Sequence, residues 1–426
     1  MTATTAYAAA TLGDVDMRAK AEQIALSGQV FSPAAPIDQY RLFAGRVRQV
    51  RDVLTATSQR GMHVILFGER GVGKTSLANV LSELMAGDGF RSLNSGTINC
   101  DVSDDFASLW HKVFRELSTY REGEEEQGVS ESSMDELLNG DVSPDDIRFL
   151  LDRVPQPVMI VIDEIDRVTD PMATTLLADT VKTLSDHSVE ATLVLVGVAD
   201  SVDELIAEHQ SVERALRQIR MPRMSVEELY EILDKGLTEL EMGIDEDARE
   251  RIARLSEGLP TYTHLLALEA VQRAIIDERE NVTMADVEAA IKDAVENSQQ
   301  SIRSVYHKAV SSPRKDNLFG RVLVACALAP TDFMGFFSAA DVRDPMTEVM
   351  GKKHEIPTFS RHLNDFAESN RGPILQKFGT ERKFRFRFIN PMMQPYVILH
   401  SLANGLVSED VVRELQATQA ERTASS

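Results

Sequence analysis

The run Gly68-Glu69-Arg70-Gly71-Val72-Gly73-Lys74-Thr75 has the full G-x-x-x-x-G-K-[ST] spacing of a phosphate-binding loop. Its glycines would let backbone N–H groups curl around a polyphosphate, and Lys74 would reach the β and γ oxygens. Thr75 would offer a hydroxyl to Mg2+, with Ser76 beside it at the positive end of a helix dipole. Farther along, Pro157-Val158-Met159-Ile160-Val161-Ile162 ends in Asp163-Glu164. Asp163 would join the Mg2+ shell, directly or through water. Glu164 would polarise a water for in-line attack on a γ-phosphate, so the pair points to ATP hydrolysis as well as binding. Asp166 and Arg167, directly after, are expected to form a surface pair.

These letters count only if the flanking elements can position them. A glycine turn with a chance lysine, or a strand ending in a solvated Asp-Glu turn, would read the same way. Here His63-Val64-Ile65-Leu66-Phe67 is an apolar run suited to a central parallel strand, and Ser76 to Met85 has helical spacing. The strand before Asp163 would deliver its carboxylates to the C-terminal edge of a sheet, where open α/β folds bind ligands. Further strands are expected at Gly96 to Asp101 and Ala191 to Gly197, with helices at Arg46 to Ser58, Asp105 to Leu117 and Met172 to Leu184. This alternation predicts an α/β fold, a P-loop NTPase parallel sheet with helices on both faces.

The pattern then becomes helical: Ser225 to Leu240, Asp245 to Leu255, Thr263 to Ile276 and Thr283 to Val295, an all-α lid. Ser225 with Glu228 and Thr283 with Asp286 have capping-box spacing. Three helices, Leu318 to Leu328, Ala339 to Met350 and Phe359 to Glu368, precede a hairpin from Ile374 to Phe388 and a closing helix from Met392 to Leu402. Helix-helix-helix-hairpin is winged-helix order. The expected organisation is an N-terminal tail and linker (1–35, with a helix-like piece near Asp16 to Leu26), an ATPase core (36–224), a helical lid (225–310), a winged-helix-like domain (311–405) and a C-terminal tail (406–426).

Composition narrows the classes. The 426 residues suit two or three domains, and 43% hydrophobic content supplies ordinary cores. No stretch has the continuous apolar length of a membrane span, and the start Met1-Thr2-Ala3-Thr4-Thr5-Ala6 lacks a signal-peptide pattern, so a cytoplasmic protein is expected. Cys100 and Cys326 stand far apart with no C-x-x-C partner, and the histidines show no metal-ligand spacing. A net charge of -22 opposes general DNA binding, but the charge is uneven. Residues 122–146 carry ten acids and no Lys or Arg, the pattern of a solvated insertion, whereas Lys352 to Phe388 carries nine basic residues against four acids.

With these pieces placed, the chain from about Pro36 to Gly405 resembles an AAA+-type ATPase, on the branch shared by origin-recognition initiators and signal-transducing (STAND) ATPases. The resemblance implies a nucleotide between sheet domain and lid, and oligomers in which an arginine completes a neighbour's site. Arg214 stands where the family carries that arginine, with Arg217 and Arg220 as competitors; ordinary helix-surface arginines would read alike. Gly258-Leu259-Pro260 resembles the Gly-x-Pro turn that such lids present to nucleotide, which would put Pro260 at the site. Asp200 stands where the family often has a polar sensor, and after Gly258 the usual sensing arginine is missing, with Thr261 and His264 nearby.

Several functions remain open on sequence alone. One is an ATP-driven switch, homo-oligomeric, that signals to a protein partner. Another is a DNA-binding regulator in which Arg361, Lys383, Arg385 and Arg387 contact duplex phosphates, although the same charges would suit an exposed protein-docking face. A nucleotide-binding scaffold without turnover is disfavoured by Glu164, and a small-molecule kinase lacks any residues that single out an acceptor pocket. No N-K-x-D-like motif suggests guanine specificity.

Overall fold

The structure, a computed structural model, describes residues 4–86, 94–119, 138, 141–199, 202, 212–313, 317–332, 334–380 and 383–424. It divides into two compact units, Pro36–Pro222 and a second formed by Met1–Ala35 with Arg223–Ser426. The first helix, α1 (Thr4–Val30), belongs to the second unit, where it packs on a helix described below. It is longer than the expected Asp16 to Leu26 piece, and Ser27, Val30 and Phe31 at its C-terminal end are buried.

The Pro36–Pro222 unit is built on strands that are apolar on both faces. In chain order its elements are α2 (Val47–Thr57), β1 (His63–Gly68), α3 (Lys74–Ala86), β2 (Asn94–Asn99), α4 (Phe106–Thr119), α5 (Pro144–Leu151), β3 (Val158–Asp163), α6 (Pro171–Asp186), β4 (Ala191–Val198) and β5 (Leu216–Arg220). All five strands are parallel, in the order β2-β3-β4-β1-β5. Every residue of β1 and β3 is buried, which requires cover on both sides. Ile65, Ile160, Ile162, Leu193 and Leu195 share one core with Trp110 and Phe114 of α4, Ile147 of α5 and Leu177 and Val181 of α6. The opposite face is met by α2, on β1 and β5, and by α3, on β1, β3 and β4.

Two expectations change here. The acidic stretch 122–146 lies largely outside the described residues, but its end is no insertion loop. Ser143 and Asp146 form a capping box that starts α5, and Ile147, Leu150 and Leu151 bury one helical face. Arg217 and Arg220 are on no helix; they lie on edge strand β5, whose only two buried residues are Leu216 and Ile219.

The second unit continues with α7 (Val226–Glu239), β6 (Gly243–Ile244), α8 (Glu246–Leu255), α9 (Pro260–Ile276), β7 (Asn281–Val282), α10 (Met284–Glu296) and α11 (Gln300–Val310). α1 packs on α9, and the ring of Phe31 fills the space where a Cβ on Gly236 would stand. Both expected capping boxes form, at Ser225 with Glu228 and Thr283 with Asp286. The parallel pairing of β6 and β7, two residues each, is too short to leave a period-two pattern in an otherwise helical stretch.

The chain closes with α12 (Phe319–Ala327), β8 (Phe337–Ser338), α13 (Ala339–Met350), α14 (Ile356–Ala367), β9 (Leu375–Phe378), β10 (Arg385–Phe388), α15 (Met393–Ala403) and α16 (Glu409–Ala424). β9 and β10 make the expected antiparallel hairpin, and β8 adds a third strand on β10. Phe386 and Phe388 are buried while Arg385 is exposed, as the alternation of apolar and basic residues requires. α16 replaces part of the expected C-terminal tail: Val412 is buried, and the Gln416 amide donates to the Arg254 carbonyl and, at 2.6 Å, to Glu257 Oε1. Among the described residues no helix is long and apolar enough to cross a membrane.

Candidate nucleotide site

The loop between β1 and α3 turns on glycines at positive φ: Gly68 at +152°, Gly71 at +84° and Gly73 at +91°. At Gly68 space is limiting too, since a Cβ would lie 2.4 Å from the Met221 carbonyl oxygen. Val72 is buried inside the turn, Glu69 is half-buried and Arg70 is exposed. The Lys74 ammonium folds back over the loop, donating to the carbonyls of Gly68 (3.1 Å) and Glu69 (2.8 Å). Burial lowers its pKa to about 8, against the pull of Asp163, Asp166 and Glu69. It therefore stays charged at neutral pH, where a polyphosphate would bind.

Thr75 Oγ1 donates to Asp163 Oδ2 at 2.6 Å, and the Glu164 backbone N–H donates to the other carboxylate oxygen at 2.7 Å. Asp163 is 3% exposed, and burial holds its carboxyl above the ordinary range although the Thr75 bond works the other way. A hydroxyl and a carboxylate in contact are hard oxygen donors of the kind Mg2+ takes from protein while keeping further positions for water and phosphate. The donor set fits that ion. Ser76 has a different partner: its Oγ accepts the Ile37 N–H at 3.1 Å, which ties the start of the unit to α3.

Glu164 sits just past β3 in the left-handed region, φ 57°, with its side chain half exposed. The expected Asp166–Arg167 pair does not form. A 3-10 turn over Ile165–Arg167 brings Arg167 Nη1 back to Glu164 Oε2 at 3.0 Å, while Asp166 Oδ1 accepts the Val198 N–H at 2.8 Å. Arg167 is thus a neighbour of the candidate base that its position in the sequence, three residues on, could have flagged.

The other expected residues lie elsewhere. Leu216 is level with His63 and Arg220 with Phe67, so Arg214 precedes β5 at the sheet edge opposite the loop. At about 3.3 Å per residue this leaves it roughly 15 Å or more from its own loop, beyond the reach of its side chain. There it pairs with Asp186 at 2.5 Å and is 71% exposed. Asp200 falls outside the described residues. Pro260 opens α9 in the second unit, after Gly258, whose φ of +74° and 2.8 Å Cβ approach to Arg223 Cβ require glycine. His264 is a core residue, edge-on to Phe31 at 6.0 Å, with its pKa lowered to about 4 by burial. On α14 and the hairpin, Arg361 is 89% exposed with Asp365 3.9 Å away one turn on, and Lys383 is exposed; Arg385 pairs with Asp332 and Arg387 donates to Gln376 at 2.7 Å.

A family described as the AAA domain matches residues 57–206, the stretch that holds the loop, Asp163 and Glu164. Residues 57–206 are thus similar to an AAA domain, in keeping with the phosphate loop and the parallel sheet described above. Over 247 residues, 54% of its length, it is 28% identical to the ORC1-type DNA replication protein 8 of Halobacterium salinarum, spanning 59% of that relative. Among solved structures, Cdc6p from Pyrobaculum aerophilum aligns over 92% of this chain and 98% of its own at 16% identity and a TM-score of 0.46. The Aeropyrum pernix ORC2 protein, solved as ADPNP-ADP complexes, aligns over 92% of this chain and 98% of its own at 15% identity and 0.48. In this chain, Lys74, Thr75, Asp163 and Glu164 gather at the C-terminal edge of the sheet, and Arg214 does not.

Proposed function

We propose that this protein binds and hydrolyses ATP as a molecular switch, its nucleotide state controlling self-association and the engagement of a partner or DNA. The observation that carries the reading is the 2.6 Å contact between Thr75 and Asp163 beside a loop whose buried lysine is folded over the carbonyls of Gly68 and Glu69. Loop amides and Lys74 hold the phosphate chain, and Thr75 with Asp163 would hold Mg2+. When bound, Mg2+ neutralises charge on the β and γ oxygens. Glu164, half exposed just past Asp163, orients a water for attack once it leaves Arg167. Arg214 cannot serve its own site, so its role as a charge-stabilising finger is in trans, on a second copy.

Steady-state ATP hydrolysis by wild type, Glu164→Gln and Lys74→Ala, over a range of protein concentrations, tests this. Turnover per chain should rise with concentration, fall at least about a hundredfold in Glu164→Gln with ATP still bound, and vanish with binding in Lys74→Ala. Tight binding without turnover under every condition would leave a scaffold. A second reading, a DNA-binding replication initiator, is favoured by the exposed Arg361 and Lys383 beside the α12–α14 and hairpin order of a winged helix, and by the similarity to the Halobacterium DNA replication protein.

A further inference from the structure

Ahead of α2 the backbone takes two successive left-handed residues, Gly45 at φ +64° and Arg46 at +60°. An arginine in that conformation is strained, and this one is also 1% exposed, the burial of a charge that must be hydrogen-bonded to be tolerated. Its guanidinium Nη2 donates to the Val72 carbonyl inside the phosphate loop at 2.8 Å and to the Pro222 carbonyl at 2.6 Å. The Pro222 segment is itself bound to the base of the loop: Met221 N–H donates to Phe67 O at 2.8 Å, and Gly68 packs on the Met221 carbonyl. Filling a gap would not call for this residue, because an apolar side chain of similar size would do so without desolvating a cation.

We propose that Arg46 is a positioning residue that aims the Gly73 N–H of the loop at the bound phosphate chain. The inference rests on the ATP-binding reading above. A trans peptide is planar, so the Val72 C=O and the Gly73 N–H point in opposite directions. Holding the carbonyl down on the buried guanidinium turns the N–H outward, to the open side of the loop, and Gly73 at φ +91° is free to follow. The buried positive charge beneath the loop adds to the potential that draws in an anion, and little solvent screens it.

The test is calorimetric titration of the full chain with MgATP and, separately, with inorganic tripolyphosphate, for wild type, Arg46→Met and Arg46→Lys. Arg46→Met should weaken both ligands by a similar factor, about tenfold or more, since the loss lies in the phosphate contacts and not in the base. Arg46→Lys keeps the charge and one donor within reach of Val72 and should recover part of the loss. Thermal melting without nucleotide, followed by Trp110 fluorescence, establishes that the unit is folded. If Arg46→Met does not fold, Arg46→Lys carries the test alone and should still lose a few-fold for both ligands, because a flexible ammonium replaces the one planar nitrogen, Nη2, that donates to both carbonyls. Wild-type affinity in the variant that folds, or a loss confined to ATP, overturns the role of Arg46. A wild-type chain that binds neither ligand overturns the nucleotide reading instead.

Discussion

Glu164 carries the hydrolytic reading, and its carboxylate is already engaged, 3.0 Å from Arg167. Both side chains are about half exposed, so the pair is worth no more than about 1 kcal/mol. That is too weak to lock the residue and large enough to bias it. Replacing Arg167 with alanine should therefore raise the single-turnover hydrolysis rate by up to about fivefold, with the ATP dissociation constant unchanged. A rate that falls in Arg167→Ala would mean that Arg167 helps the chemistry and does not restrain the base. Lys74 shows the opposite regime: it is buried, and among the described residues its ammonium donates to the carbonyls of Gly68 and Glu69 and contacts no carboxylate.

Among the elements, β1 and β4 are joined by more than their ladder. His63 Nδ1 accepts the Leu193 N–H at 3.0 Å with the ring fully buried, so the Nδ1 position must stay unprotonated, and burial lowers the pKa to about 4. Below the ordinary histidine pKa of about 6.5 the unfolded chain takes up a proton that folded His63 refuses until about pH 4, so stability is lost on acidification across that window. Between pH 7 and pH 5 the loss from this one site is about 2 kcal/mol. Trp110, the single tryptophan, lies in the same core and reports urea unfolding of this unit. His63→Asn should lose about 2 kcal/mol less than wild type over those two pH values; equal losses would place the titration elsewhere. The strands that hold the loop and the acids were legible because both faces are buried and the apolar runs are continuous. What was not legible depends on contacts distant in sequence. β5 alternates too weakly to read as a strand, and α5 begins inside an acidic run. Arg46 follows a glycine like any helix-start residue until its carbonyl partners, at Val72 and Pro222, are known.

Across the whole molecule, charge sets the terms on which DNA could be a ligand. The chain carries -22 overall, yet the segment with α14 and the hairpin is locally basic. Of the four expected phosphate contacts, Arg385 is paired with Asp332 and Arg387 is held by Gln376, whereas Arg361, 89% exposed and only loosely paired with Asp365 at 3.9 Å, and the exposed Lys383 are the residues best able to turn to a phosphate. Two to four phosphates neutralised would give a slope of about -2 to -4 in log affinity against log salt. Repulsion from the acidic remainder is itself screened by salt, so the measured slope should be shallower than the count of contacts. Anisotropy titrations of labelled duplex DNA at several salt concentrations would read both effects. Reversing Arg361 and Lys383 to glutamate should weaken binding at least about tenfold and flatten the slope by about 2, while Arg385→Ala should matter less, because its charge is already opposed. Unchanged binding in the double reversal would remove this face from the DNA reading. No binding by wild type at any salt would leave the basic hairpin as a protein-docking surface, for which a partner of acidic character is the matching chemistry.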